Sequence, residues 1–417
     1  MKKIYMYSFM AAMFAAAVTG CGSNTNTATT SSADNKAKTS VVSEKNDTVS
    51  VNQLSNIEKT EGTTYTERDL EQTADTSDAQ YITVSDDETI DITEEGVYVI
   101  SGTAENCTIR VEADENAKVQ LVLDGVNVTN SDFPVIYAVS ADKVFITTAD
   151  SDNILTVSGQ FTSDGDTNTD AVIYSKDDLV LNGTGTLNIT SYYGNGITSK
   201  DDMKITGGTY NMQTALDAFE ANDSISVSDG TFNITTNKDG FHCENDEAEG
   251  TIIISGGTFD IKGGSDGIQA CALLQIDGGT IDINASEGLE ATYILINDGN
   301  INIYATDDGI NASTNTNAYE TAIEINGGYI TVEVGQGDTD GLDANGSIYV
   351  NGGTINVTAQ MSSFDYDDIA EFNGGTIIIN GEEVSEIPQS MMGGGMHGGM
   401  GGFGGEMGGF GGGRPSR

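Results

Sequence analysis

The chain has 417 residues, with 17 Lys and Arg against 64 Asp and Glu, a formal net charge of -47. That balance excludes nucleic acid as a partner, because phosphate binding needs basic surface, and it excludes electrostatic docking on an anionic membrane. Tryptophan is absent, proline numbers 3 and glycine 52. Abundant Gly, Asn, Asp and Thr weaken helices and favour turns, so the composition predicts an all-β chain of short strands.

At the start of the chain, Lys2 and Lys3 precede the apolar stretch Ile4 to Val18, too short to span a bilayer comfortably. It ends in Val18-Thr19-Gly20-Cys21, small residues abutting a cysteine, as in a bacterial lipobox. The expectation is a signal peptide over 1–20 and a lipid-bearing Cys21. The alternative is an ordinary signal peptide that happens to contain a cysteine. On the first reading the protein is extracellular, anchored at the bacterial cell surface, and touches membrane only through that lipid.

Residues 21–79 are rich in Ser, Thr, Asn and Asp without a sustained apolar period, which predicts a disordered tether. At the other end, residues 391–417 are mostly Gly with Met391, Met392, Met396, Met400 and Met407. So much glycine predicts a disordered tail. His397 among these methionines suggests a soft metal, but one imidazole and unconstrained thioethers give no fixed geometry.

Between these ends, residues 80–390 carry 53 acidic and 8 basic side chains, and no Lys or Arg occurs from Gly263 to Gly413. Self-repulsion of this size destabilises a compact state unless something offsets it.

Repeats set the expected architecture. Gly-Thr followed by alternating apolar residues recurs, as in Gly185-Thr186-Leu187-Asn188-Ile189, Gly230-Thr231-Phe232-Asn233-Ile234 and Gly279-Thr280-Ile281-Asp282-Ile283. A second pattern is an acid, a small residue, a large apolar residue, any residue and a small one. It begins at Asp217, Asp239, Asp266, Glu287, Asp308 and Asp340, with weaker copies at Asn195 and Asp367. The two patterns keep a nearly constant offset, and an apolar strand such as Ile252-Ile253-Ile254 precedes each Gly-Thr. Three short strands in a unit of roughly 22 residues cannot bury their own apolar face, so units must stack. The expected fold is a right-handed, single-stranded parallel β-helix of about 14 coils, roughly 65 Å long at about 4.8 Å per coil. Ile268, Ala270, Leu289, Ala291, Ile310 and Ala312 are expected inside. Gly267, Gln269, Gly288 and Glu290 are expected outside, and the glycines of the Gly-Thr pattern are expected to supply turn conformations. Residues 80–130 repeat less clearly and read as the first coils with their cap.

In register, the acids stack. Carboxylates about 5 Å apart repel by roughly 3 kcal/mol per pair at an effective dielectric near 20. Raised pKa values relieve this, or cations between the acids do. Rows of hard oxygen ligands suit Ca²⁺, which accepts six to eight oxygens in loose geometry. The candidate metal ligands are Asp217, Asp239, Asp266, Glu287, Asp308 and Asp340. Glu220, Glu290, Asn311 and Asp343, three residues further on, share their edge, and Asp367 and Asp368 complete the set. The alternative role for single members is an Asx turn capping a strand.

The lipobox, the polar tether, the Gly-Gly-Thr coils, the Asp-Gly-Ile column and the glycine- and methionine-rich tail resemble bacterial secreted carbohydrate-binding β-helix proteins related to pectate lyases. The likeness covers about residues 85–385. It implies a right-handed parallel β-helix, calcium in acidic turns, and binding of plant polysaccharide such as polygalacturonate or cellulose. Asn195 departs from the acidic pattern, and Asp368 stands where glycine is usual.

Three functions compete. The first is a surface-tethered, calcium-dependent glycan binder, monomeric, with Tyr192, Tyr193, Tyr293, Tyr304, Tyr319 and Tyr329 as candidate sugar platforms. The second is a polysaccharide lyase, for which Lys238, beside Asp239 and near His242, is the best candidate base. Its ordinary role is a lysine paired with acids. The third is a structural adhesin or spacer. The reading leans away from an enzyme and assigns no catalytic residue. Cys107, Cys243 and Cys271 are odd in number, and no disulfide is expected.

Overall fold

The computed structural model describes residues 65–245, 249–337 and 339–388. Each coil is three strands, for example Thr251–Ile254, Thr258–Lys262 and Asp266–Ala270. Each strand pairs in parallel with its counterpart one coil away, as Phe232 with Phe259 and Ile268 with Leu289. The first two strands of each coil join one 24-stranded sheet and the third joins a 12-stranded sheet. The result is a parallel β-solenoid of about 12 turns with about 24 residues per turn. The expected period of about 22 residues holds for several coils, but longer connections such as residues 158–170 and 244–250 raise the mean and lower the number of turns. We call the three columns of strands the lead stack, the Gly-Thr stack and the acid stack.

The apolar positions that alternate along the strands form one continuous core. Ile268, Ala270, Leu289, Ala291, Ile310 and Ala312 are all fully buried, as expected. Each large side chain removed from water contributes roughly 1.5–3 kcal/mol. Identical residues meet along the axis, so Phe219 stacks on Phe241 at 4.7 Å between ring centres and Phe232 on Phe259 at 4.5 Å. The thiols of Cys107, Cys243 and Cys271 are free and buried.

The glycines divide into two classes. Those of the Gly-Thr stack turn the corner with positive φ, for example +137° at Gly230 and +99° at Gly279, where other residues are strained. Those of the acid stack do not face outward as expected. Gly267 and Gly288 are buried, and a Cβ at Gly267 would stand 2.5 Å from Ile283 Cγ2 and 2.6 Å from the Gly288 carbonyl oxygen. The need there is for space.

The expected tether ends earlier than residue 79. Residues 65–79 lie against the lead stack, led by a four-residue helix, Glu67–Leu70, whose Thr66 and Asp69 form a capping box. Asp69 is fully buried with its carboxylate 4.0 Å from Lys143 Nζ and 3.6 Å from Lys204 Nζ. Gln72 accepts from the Gly183 N–H at 2.9 Å and donates to the Thr206 carbonyl at 3.0 Å. The Arg68 guanidinium sits 4.3 Å over the Phe145 ring. Burial raises the Asp69 pKa, but the Thr66 hydrogen bonds and the two lysines outweigh it and hold the group below the ordinary carboxylate range. Its stabilisation is therefore present above the unfolded pKa and lost as pH falls through the lower folded value. Asp69→Ala removes the buried carboxylate that both lysines face, leaving Lys143 with Asp178, and takes away the capping box; it is expected to cost about 3 kcal/mol. Limited proteolysis checks this: cleavage within residues 70–79 should accelerate in the variant, and an unchanged rate counts against the strap.

Candidate functional site

The acid stack builds its site by register. Asp266 pairs with Glu287, and the fourth positions form an outer row in which Glu220, His242, Gln269, Glu290, Asn311, Asp343 and Asp365 follow one another coil by coil. Because the glycine position turns inward, the acid and the residue three on reach the same outer edge. Several Asp residues of this column also do structural work. Asp217 Oδ1 accepts the Asp239 N–H at 3.0 Å, Asp239 Oδ1 accepts the Asp266 N–H at 2.9 Å, and Asp308 Oδ1 accepts the Asp340 N–H at 2.7 Å. Asn195 keeps the ladder without a charge, its amide oxygen accepting the Asp217 N–H at 2.9 Å.

Electrostatically, the edge has two halves. In the first, Asp217 is met by Lys238 Nζ at 2.8 Å and His242 Nδ1 at 3.3 Å, and Lys238 also lies 3.6 Å from Asp239. Burial raises the Asp217 pKa, but these two partners outweigh it and the group sits low. Burial lowers both cations, yet Asp217 outweighs it and raises them, so Lys238 is held firmly as an ammonium. That is opposite to what a base needs. Lys200 similarly meets Glu220 at 2.9 Å.

In the second half, no Lys or Arg follows Lys262 until the far end of the chain. Asp266, Glu287 and Glu290 bring one oxygen each within 4.8 Å of one another. Burial, then the neighbouring carboxylates Asp239, Glu287 and Glu290, push Asp266 up to about 8. Glu287 rises to about 7 by burial and by Glu290, Asp308 and Asp307, although the Asn311 amide donates to it at 2.9 Å. Asp343 rises to about 7 by burial and by Asp308, Asp340, Asp365 and Asp367. The amide oxygen of Asn311, Oδ1, is buried without a hydrogen-bond partner among the described residues. An all-oxygen donor set carrying an unsatisfied amide oxygen fits a hard divalent cation such as Ca²⁺.

Not every expected ligand joins this edge. The last strand of the acid stack is Ser362–Tyr366, with Ser362 opposite Asp340 and Asp365 opposite Asp343. Asp367 and Asp368 therefore fall in the exposed turn beyond it, one step out of the column. The apparent repeat at Asp367 misleads because Asp365-Tyr366-Asp367 offers two acids in the same local pattern. Among the tyrosines, Tyr192, Tyr193, Tyr304 and Tyr329 are exposed, whereas Tyr293 is buried with its hydroxyl on Glu324, so it is no platform. Cys21 and the tail with His397 lie outside the described residues.

Two features are not evident from the repeats. Asp178, Asp201 and Asp202 converge within 4.8 Å, foreshadowed by the repeated Lys176-Asp177-Asp178 and Lys200-Asp201-Asp202. Burial and then Asp178, Asp202 and Asp223 push Asp201 up to about 6, and Lys143 stands 3.3 Å from Asp178. Asparagines also ladder between coils, Asn326 donating to Asn297, Asn351 to Asn326 and Asn373 to Asn351, each at 2.9 Å. Their signal is Asn recurring just before the turn glycine.

A family model described as carbohydrate-binding domain-containing protein matches residues 86–341 and 289–386. A carbohydrate-binding domain-containing protein of Acetivibrio thermocellus is 40% identical over 127 residues, which are 30% of this chain and 44% of that protein. The chain thus matches less than half the length of that relative. A solved structure described as the polysaccharide lyase-like protein from C. thermocellum, gadolinium derivative, covers 71% of this chain and 98% of that one at 24% identity, with a TM-score of 0.34.

Proposed function

The chain belongs to the carbohydrate-binding domain-containing family, and from that premise we propose that it is a calcium-binding polysaccharide binder held at the bacterial surface. Its ligand is a plant-type polymer, polygalacturonate-like or cellulose-like, and its anchor is a lipid on Cys21. The observation that carries the metal is the Asp266, Glu287 and Glu290 cluster, three carboxylates within 4.8 Å on the half of the edge where no Lys or Arg follows Lys262 until Arg414. Asp308, Asn311, Asp340 and Asp343 extend the same donor row. Calcium there neutralises the edge and leaves coordination positions for uronate carboxylates, which a chain of net charge -47 would otherwise repel. The lyase alternative lacks support from Lys238, whose ammonium is stabilised by Asp217.

Retention of the full chain on polygalacturonate should require calcium and fail in EGTA. Absorbance of unsaturated product should stay flat. Product formation would replace the binder with a lyase. Calcium-independent retention would remove the metal from the mechanism. No retention on any polysaccharide would leave the spacer.

A further inference from the structure

The three stacks present different faces. The outward row of the lead stack is largely covered, with Phe145, Ile253, Leu295 and Tyr349 all buried. The acid stack is lined with carboxylates. The Gly-Thr stack is most open in its middle coils: in Thr231–Thr236 every second residue is exposed and the same holds in Asn300–Ala305, while the outward residues of Thr186–Ser191 are half-buried.

That open face is also nearly uncharged. From Thr186–Ser191 to Thr354–Thr358 its strands align in register, so three outward rows cross eight coils. One row is chiefly threonine, as in Thr209, Thr231, Thr258 and Thr280. The next begins as asparagine, in Asn188, Asn211 and Asn233. The acids on these rows are Asp260, Asp282 and Glu333, and the base is Lys262, which holds Asp260 at 3.0 Å. A chain with 64 acidic and 17 basic residues thus keeps this open sheet face almost free of net charge. Threonine and asparagine each donate and accept, and they recur once per coil at roughly 4.8 Å. Tyr304 and Tyr329 stand outward on adjacent strands of this face, 39% and 52% exposed.

We propose that the Gly-Thr face is a second glycan site, which takes a neutral, hydroxyl-rich polysaccharide chain without metal. The proposal rests on the reading that the protein binds polysaccharide and divides the ligands between two faces. Uronates go to the acid edge through calcium; neutral chains lie on the Thr-Asn grid, with sugar rings against Tyr304 and Tyr329. The sparsely charged grid selects the ligand: its one cation, Lys262, is held by Asp260; Asp282 and Glu333 repel a carboxylate; and the hydroxyls and amides present both hydrogen-bonding polarities to a polyol. Aromatic contact adds apolar area to the hydrogen bonds.

The test uses the full chain, with swollen cellulose and polygalacturonate as probes. Cellulose retention should persist in EGTA, and Tyr304→Ala with Tyr329→Ala should weaken it at least tenfold. The same double variant should keep calcium-dependent polygalacturonate retention and an unchanged melting temperature, since both rings are exposed. Thr280→Glu, which places a charge in the threonine row, should also weaken cellulose retention. The Asp266→Asn, Glu287→Gln variant should do the reverse, sparing cellulose and losing polygalacturonate. Cellulose retention that needs calcium, that ignores the tyrosine variant, or that is absent from the wild-type chain overturns the assignment. Loss of polygalacturonate binding alone overturns only the calcium reading.

Discussion

Gly267→Ala is expected to lower stability by about 3 kcal/mol, because the added methyl would overlap the Gly288 carbonyl oxygen and Ile283 Cγ2 at 2.6 and 2.5 Å. Neither neighbour can withdraw. The carbonyl belongs to the next coil's backbone, and Ile283 is packed in the core at 3% exposure. Relief would require separating two coils, which propagates along a stack whose units contact only their neighbours. Gly125→Ala is the control. Gly125 has φ +74°, but a Cβ there would meet nothing within 4 Å, so conformational strain alone applies, about 1 kcal/mol. Calorimetry of both variants measures the difference. Equal melting temperatures would show that the acid-stack glycines do not need the space they leave.

In metal-free protein, Asp266→Asn with Glu287→Gln is expected to raise stability at pH 8 by about 2–4 kcal/mol. The folded pKa values of these acids, about 8 and about 7, lie above the ordinary carboxylate range. Each unit of such a shift corresponds to about 1.4 kcal/mol, but the Asp266 shift already includes the charge of Glu287 and both groups keep some water, so only part of the sum is expected. For a raised acid the folded state binds more protons, so stability falls as pH rises from about 4 through the folded values. The wild type without calcium should therefore melt progressively earlier between pH 5 and 8, and added calcium should restore the loss chiefly at the upper end. The double variant should show a flatter profile and little response to calcium. A wild-type profile that is flat in EGTA, or a calcium response that survives both substitutions, would remove this cluster as the metal site.

Both effects arise from the same five-residue pattern, one from its glycine and one from its acid. Repetition is visible in sequence because every coil solves one packing problem in the same way. Large apolar residues at Ile268, Leu289 and Ile310 and small ones at Ala270, Ala291 and Ala312 define the interior by their alternation alone. The offset between the Gly-Thr and acid patterns then requires their columns to align, which brings Asp266, Glu287 and Glu290 to one edge. The pattern fails at the end of the solenoid. The next coil after Asp340 keeps the usual spacing but places Ser362, not an acid, in the column, with Asp365 in the outer row, leaving Asp367 and Asp368 in the turn beyond.

What no repeat could disclose were contacts between parts of the chain far apart in sequence, or neighbours seen only across coils. Asp69 meets Lys143 and Lys204, and Gln72 meets Gly183 and Thr206, through a strap that by composition alone resembles a tether. Lys238 and His242 gather on Asp217, which separates a neutralised half of the acid edge from an uncompensated one. Tyr293 and Tyr304 read alike as exposed aromatics, yet one is inside on Glu324 and the other faces solvent. Sequence by itself determined the solenoid, its three columns and the line of carboxylates, because those follow from periodicity. The tertiary structure decided which acids keep a cation, which glycines need space, and which face stays open, because charge and crowding depend on distance across coils and not on position along the chain.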